Sequence, residues 1–417
     1  MLSVNLNTNP PWSSGVPLKI LKILGGSDKT MIVGGAVRDW LSDEPVDDID
    51  FATKLLPEEA MKILLDSGFN VKPTGIEHGT ITVFYDNKSY EITSLRKDIL
   101  TDGRHAKVIF GGTWEEDAYR RDFTINALYS DEFGSILDFT GNGFKDLENK
   151  KLRFIGDPKK RIEEDYLRLL RYFRFLSGFL DNIDNDSMNA CVKLAKKLNL
   201  LSAERLLLEF NKILTSKNSI IILNKIIKND VLINIFGPVL IDNYHLNKNL
   251  LKNISIKLIK YKNRINYPFI IYVSFLIAFL PQKETNKNNI ISIVTKKFKL
   301  SNNDKRLLKR NVNWLLNIKN INKTTIINLW IDNEELDVMD LKDILLINNI
   351  NMKKDLESAF DKAPPKFPIS GNDLIKKGIK EGEEVGQVLH KIKDWWISKD
   401  CKPSYTECLN SIKKFHS

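Results

Sequence analysis

The sequence predicts an α+β fold, a mixed-sheet head at the N-terminus followed by an all-α remainder. Three observations predict it. Up to about residue 140, short apolar or alternating runs are punctuated by turn residues. From "GDPKKRIEEDYLRLLRYFRFL" onward, apolar residues recur at helical spacing and strand signals nearly vanish. The 417 residues are also too many for a single hydrophobic core.

In chain order, "TMIVGG" reads as a buried strand and "AVRDWL" as a short helix. "DDIDFAT" is a second strand, and "LPEEAMKILLDSGF" an amphipathic helix. "GTITVFYDNKSYEITSLR" forms a hairpin around Asp86-Asn87, and "RDFTINALYSDEFGSILDF" adds a strand pair turning at Phe133-Gly134. The polar segment between these pairs, through "RKDILTDGRHAKV", reads as a mobile loop or a plain surface connection. Beyond it, "EEDYLRLLRYFRF", "SAERLLLEFNKILTS" and the Lys/Asn-rich apolar stretches read as helices. "DKAPPKFP" interrupts them, and "GNDLIKKG…GEEVGQVLHKIKDWWIS" forms a last helical unit.

With 42% hydrophobic and 28% charged residues, the composition is that of a soluble globular chain. The net charge of +10 suits an anionic partner such as nucleic acid, and equally the Lys-, Ile- and Asn-rich output of an AT-biased genome. Cys191, Cys401 and Cys408 show no metal-ligand spacing and cannot all pair, which fits a reducing compartment. The start lacks the basic-then-apolar pattern of a signal peptide, so a cytoplasmic location is expected. "YPFIIYVSFLIAFLP", bounded by Pro268 and Pro281, is too short to span a bilayer, and no membrane association is expected.

The glycines of "MIVGGAVRDW" satisfy neither a dinucleotide fingerprint nor a P-loop. Gly34 and Gly35 can still bring backbone N–H groups to a phosphate, with Arg38 about one turn further on. A solvated arginine at an ordinary strand–turn–helix junction is the alternative. Asp48 and Asp50, two apart before an apolar run, point to one face of a strand. Paired carboxylates repel unless a cation lies between them, and hard oxygen ligands suit Mg2+ in two-metal phosphoryl transfer. With Asp43, Glu44 and Asp47 nearby, a polar turn is the competing reading.

In "RRDFTINAL", Arg121 is suited to phosphate and Asp122 to a sugar hydroxyl, unless both belong to a surface salt-bridge cluster. In "EEDYLRLLRYFRF", a single helix would put Tyr166, Leu169, Leu170, Phe173 and Leu176 on one face. Arg168, Arg171 and Arg174 would fall opposite, with Asp165 at their edge, spaced to pair with Arg168. Three arginines and no lysine in so lysine-rich a chain suit phosphates and base edges.

The series "GGAVRD", "DDIDFAT", "EHGTITV", "RRDFTINA", "LDFTGNGFKDLENKKLRFIGDP", "RIEEDYLRLLRYFRF" and "SAERLLLE" occurs in this order. It resembles the class II tRNA nucleotidyltransferase (CCA-adding enzyme) and bacterial poly(A) polymerase family, within the DNA polymerase beta-like nucleotidyltransferases. The resemblance implies a head over 1–140, a neck over 141–215, a body over 216–362 and a tail over 363–417. It implies Mg2+ on Asp48 and Asp50, with Glu91 a third carboxylate near the primer hydroxyl. Gly34, Gly35, Arg38 and Arg121 would meet the triphosphate and Asp122 the ribose. Asp165 and Arg168 would pair with the incoming base, assisted by Arg171 and Arg174. Ser202, Glu204 and Arg205 would brace the neck helix.

The activity implied is template-independent addition of CCA to the tRNA 3′ end from CTP and ATP, by a monomer or weak dimer. The "VKPTGIEHGTITV" segment stands where poly(A) polymerases carry a "GRRF"-like stretch, which favours CCA addition. An A-adding enzyme stays open, and so does an inactive RNA-binding relative.

Overall fold

Four consecutive buried residues, Thr30–Val33, place strand β1 in the interior of a seven-stranded sheet. The computed structural model describes residues 9–101, 106–237, 253, 256, 268–279, 284–331, 335–348, 354–361 and 363–415. They fall into two compact units, Met1–Tyr244 and His245–Ser417.

In the first unit, helix α1 (Gly15–Ile23) leads into β1, and helix α2 (Gly35–Leu41) follows it. β1 pairs antiparallel with β2 (Asp50–Thr53), from which helix α3 (Pro57–Asp66) leads to β3 (Asn70–Gly75). β4 (Thr80–Tyr85) and β5 (Lys88–Ser94) form a hairpin, and β5 runs parallel to β2. Asp86 and Asn87 have φ of 44° and 62°, the left-handed pair that a two-residue hairpin turn requires.

The segment expected to be a loop instead forms a separate antiparallel pair, β6 (Arg96–Thr101) with β7 (Ala106–Phe110). Its two arms carry enough alternating β-formers to pair across the polar tip. Residues 102–105, with Asp102, Gly103 and His105, lie outside the described residues. Helix α4 (Trp114–Tyr119) returns the chain to the sheet, where β8 (Leu128–Ser130) joins β1 and β9 (Ile136–Asp138) takes the edge. The final order is β3-β4-β5-β2-β1-β8-β9, mixed as expected. Met31, Val33, Ala52, Trp114, Ala127 and Tyr129 form the core on one face.

"NVKPTG", to which the sequence assigned no element, is a strand that tolerates Pro73, because β3 is an edge strand, where a missing N–H costs no ladder bond. Two further local expectations change. Thr124–Asn126 is a 3-10 turn rather than strand. There Gly143, the first residue of helix α5 (Gly143–Glu148), meets the Thr124 carbonyl so closely that a Cβ would lie 2.5 Å from it. The neck helix is broken in two, α6 (Pro158–Glu164) and α7 (Leu167–Leu176), with Asp165 extended at φ −154°, ψ 106°. On α7 the buried residues are Leu169, Leu170, Tyr172, Phe173 and Leu176, so Tyr172 takes the place in the core expected for half-buried Tyr166.

A short parallel pair, β10 (Lys151–Leu152) with β11 (Asn182–Ile183), joins the segment after α5 to the one after α7. Helices α8 (Asn185–Leu194), α9 (Ala203–Thr215), α10 (Ser219–Lys228) and α11 (Val231–Phe236) complete the unit. Ser202 caps α9 by accepting a hydrogen bond from the Arg205 amide.

Among the described residues of the second unit, every regular element is a helix. Its helix Pro268–Phe279 is buried on all sides, as the all-apolar stretch requires. Near the C-terminus, Trp396 packs in a core with Leu374, Ile392 and Cys408, and its indole N–H donates to the Pro403 carbonyl at 2.9 Å. No helix among the described residues is long and apolar enough to cross a membrane.

Candidate active site

A cleft of about 400 Å3 in the first unit is lined by Gly34, Gly35, Arg38, Asp50, Arg120, Arg121, Asp122, Asn126, Asp165, Arg168, Arg171, Arg174 and Phe175. Of the residues that the sequence assigned to metal, triphosphate, ribose, primer or base, all but Asp48 and Glu91 line it.

The glycine turn forms one wall. Gly34 has φ 76°, ψ −121°, a conformation strained for any side chain, and its N–H donates to the Leu128 carbonyl at 3.1 Å. A Cβ here would come within 3.4 Å of the Arg121 guanidinium, so glycine leaves room beside that arginine. Arg38 reaches inward from α2. It donates to both Asp39 oxygens, at 2.9 and 3.0 Å, and to Asn126 Oδ1 at 2.6 Å.

Arg120 and Arg121 share one anchor, the buried Asp117, which takes Arg120 on Oδ1 and Arg121 on Oδ2. Tyr129 donates its hydroxyl to Asp117 Oδ2 at 2.6 Å. Burial alone would raise the Asp117 carboxyl, but Arg121 and Arg120 hold it down at about 2. The sequence spacing carried this signal, since Asp117 precedes the arginines by three and four residues on one helical turn.

Asp122 is similarly engaged. Its Oδ1 accepts from the Phe123 amide at 2.9 Å and Asn126 Nδ2 at 3.1 Å, while Oδ2 accepts from Arg171 Nε at 2.7 Å. Burial works against its charge, yet Arg171 and these hydrogen bonds hold the carboxyl below its ordinary range. Asp122 is thus first an organiser of Arg171, with little acceptor capacity left for a sugar hydroxyl.

Asp165 and Arg168 do not pair with each other, contrary to the helical-wheel expectation. The break after α6 turns Asp165 outward to Arg205, 2.7 Å from its Oδ2, and the Leu167 amide donates to Oδ1 at 3.1 Å. Arg168 instead bonds Glu164 Oε2 at 2.6 Å and donates to the Arg120 carbonyl at 3.1 Å. Arg161 ties the same corner together, reaching Glu164 and the Tyr119 and Arg121 carbonyls. Arg174 faces Glu209 at 2.5 Å. From "SAERLLLE", the ion pairs to this corner come from Arg205 and Glu209.

Asp50 opens β2, opposite Val33 in register, whereas Asp48, expected on the same strand, lies just before it in a segment without regular structure. Glu91 is on β5, one residue before the Ile92–Phe51 pair, which sets it beside Asp50 at the same end of neighbouring strands. All three carboxylates keep surface open to solvent. The Asp50 carboxyl is nevertheless pushed up to about 6, first by its withdrawal from water, then by Glu91, with Arg121 opposing and Asp48 adding a smaller push.

Among the described residues, no group of three or more His, Cys, Asp or Glu is arranged as a metal site. The repulsion recorded at Asp50 is what a divalent cation would reverse, and the donors are hard oxygens, so Asp48 and Asp50 fit such an ion.

This corner of the chain has known counterparts. A family profile described as "Poly A polymerase head domain" matches residues 30–153, and another, "Probable RNA and SrmB- binding site of polymerase A", matches residues 182–243. The chain is 33% identical over 403 residues to mouse CCA tRNA nucleotidyltransferase 1, mitochondrial, covering 92% of this chain and 86% of that protein. It is 31% identical over 380 residues to a CCA-adding enzyme of Ligilactobacillus salivarius, covering 89% of each. In fold it is similar to the Bacillus stearothermophilus CCA-adding enzyme solved in complex with CTP, with a TM-score of 0.72 over 95% of both chains at 24% identity.

Proposed function

The chain belongs to the class II CCA-adding enzyme and poly(A) polymerase family, and on that premise we propose that it adds C, C and A in turn to the 3′ end of tRNA. CTP and ATP are the substrates and pyrophosphate the by-product. The observation that carries this reading is the convergence in one cleft of an acidic strand end, a phosphate-sized cationic wall and a mixed acid–guanidinium corner.

In the reaction, the tRNA 3′-oxygen forms a bond to the α-phosphorus and the bond from that phosphorus to the bridging oxygen of pyrophosphate breaks. Asp48 and Asp50 would hold Mg2+, which supplies charge neutralisation at the reacting oxygens. Glu91 stands next to Asp50, where its carboxylate would take the proton that the 3′-hydroxyl gives up. Gly34 and Gly35 leave room for the phosphates, and Arg38 and Arg121 neutralise them. Asp165 offers an acceptor and Arg168 donors, the set that the edge of cytosine or adenine would need in place of a template base. Arg171 and Arg174 complete the cationic lining. The division into head (1–140), neck (141–215), body (216–362) and tail (363–417) belongs to the same reading, with the basic C-terminal helices holding the tRNA backbone. Three free, buried cysteines suit the reducing cytoplasm.

The test offers tRNAs ending before CCA, after C and after CC, with CTP, ATP or both, and reads product lengths. The first substrate should gain two residues with CTP alone and three with both nucleotides. An enzyme that extends only the CC-ended tRNA, or that adds runs of A, belongs instead to the A-adding or poly(A) branch.

A second expectation concerns Asp50 alone. Its folded-state value near 6 lies above the ordinary 3.8, so its effect favours the fold below pH 3.8 and is lost as pH rises through about 6. In chelator-treated protein, Asp50→Asn should therefore raise the thermal midpoint at pH 7.5 and leave it unchanged near pH 4. Added Mg2+ should raise the midpoint of the unsubstituted protein more than that of the variant. Equal midpoints under all these conditions would remove Asp50 from the cation site.

A further inference from the structure

Three guanidinium groups converge on one aromatic ring in the cleft. The Arg174 guanidinium carbon lies 4.2 Å from the centroid of Phe175, that of Arg38 5.0 Å and that of Arg171 5.4 Å. Arg38 comes from α2 in the head, and the other two from α7 in the neck. Phe175 itself lines the cleft. Its ring is fixed from behind by the fully buried Phe123, edge-to-face at 5.5 Å and 71°.

Three cations around one ring repel one another and would spread apart if each were held only at its tip. Each has an anionic partner on its far side: Asp39 for Arg38, Asp122 for Arg171 and Glu209 for Arg174. Asn126, which accepts from Arg38 and donates to Asp122, links Arg38 to Arg171, but the Glu209 pair of Arg174 is not part of that chain of bonds. The Phe175 ring is the contact common to all three, because it attracts each guanidinium and its seat on Phe123 gives them one reference point. Arginine is suited to this, being planar and weakly hydrated.

We propose that Phe175 is a positioning residue that pre-orders Arg38, Arg171 and Arg174 as one receptor for the incoming nucleotide. The proposal rests on the reading of this cleft as the CTP and ATP site. Because the ring acts on a cationic set common to both nucleotides, it should lower the KM for CTP and for ATP alike and leave the choice between them to Asp165 and Arg168. It should act on KM rather than kcat, since it orders groups before the nucleotide arrives.

The test replaces Phe175 in the full-length enzyme by mono-, di- and trifluorophenylalanine, which weaken the ring's negative face at nearly constant shape. The KM for CTP is measured on tRNA lacking CCA and the KM for ATP on tRNA ending in CC. Both should rise stepwise, to about tenfold for the trifluoro ring, as weakening one to two cation–π contacts implies. The value of kcat, tRNA binding and the thermal midpoint should stay level. Phe175→Tyr, which keeps a cation-binding ring, should behave as the unsubstituted enzyme, while Phe175→Leu should reach the top of the range. A flat KM across the fluorinated series overturns the proposal, and so does a rise confined to one nucleotide, which would make the ring a base selector. An unsubstituted enzyme that adds neither C nor A overturns the reading of the cleft, and the proposal with it. A flat series in an enzyme that completes CCA overturns only the role of Phe175.

Discussion

Asp50→Ala and Asp48→Ala are each expected to lower incorporation of CMP and AMP by on the order of a thousandfold or more, while tRNA binding persists. The size follows from the job assigned to the pair. Holding a divalent cation against the reacting phosphate is worth several kcal/mol of charge stabilisation in the transition state, and about 4 kcal/mol corresponds to three decades in rate. Position makes the pair hard to replace. Asp50 is locked at the start of β2 by its register with Val33, and Asp48 lies two residues upstream, just before the strand.

Neither variant should damage the fold. Asp48 and Asp50 keep surface open to solvent, and the Asp50 carboxyl is pushed up first by withdrawal from water and then by Glu91, so removing its charge relieves both penalties. Single-nucleotide incorporation assays and tRNA mobility shifts read the two effects separately. If Asp48→Ala kept most of its activity while Asp50→Ala lost it, the cation would have to rest on Asp50 and Glu91, the other carboxylate beside it. If both variants stayed active, the acidic strand end would have no part in the chemistry.

Much of this site was legible because its parts are local. Strand–glycine–helix, the Asp48/Asp50 spacing and the "RRD" run each lie within a few residues, where side-chain period and turn chemistry decide geometry. The β4–β5 hairpin was readable for the same reason, since Asp86-Asn87 is a turn that declares itself. What the sequence hid is set by partners distant in the chain. The helical wheel through "EEDYLRLLRYFRF" assumed an unbroken helix, but the Asp157 cap and Pro158 start α6 and the chain then leaves helical geometry at Asp165. That single extended residue exchanges an Asp165–Arg168 pair for Asp165–Arg205 across 40 positions and Arg168–Glu164 across four.

Asn126 was passed over because an amide in "FTINAL" has no feature of its own. Its importance appears only once Arg38, 88 positions away, donates to it. Phe175 looked like one more aromatic on a helix, and no periodicity shows that Arg38 lies over its ring. The hairpin β6–β7 was masked by its polar middle, although both arms carried strand-forming residues.

The second large effect is expected at Asp165. Asp165→Ala should cut the preference for CTP over ATP at the first addition by about a hundredfold or more, because a site that hydrogen-bonds a base edge rejects the wrong partner by leaving buried groups unpaired. The fold supplies the means. Asp165 is neither in α6 nor in α7, so its side chain is free of helical side-chain packing and is steered by Arg205 at 2.7 Å and by the Leu167 amide at 3.1 Å. Arg168 is steered separately, by Glu164 and by the carbonyls of Arg161 and Arg120. The two halves of the proposed base-reading pair are therefore held by different supports, and each support can be removed alone.

Arg205→Ala should loosen Asp165 and reproduce a part of the selectivity loss with the carboxylate still present. Glu164→Gln should do the same through Arg168. Competition assays with both nucleotides, on tRNA lacking CCA and on tRNA ending in CC, measure each ratio, and thermal unfolding checks that the neck remains folded. Selectivity unchanged in Asp165→Ala would remove the residue from base recognition. Selectivity lost in Asp165→Ala but intact in Arg205→Ala would leave Asp165 as the reader and show that the bound base, rather than Arg205, fixes its orientation.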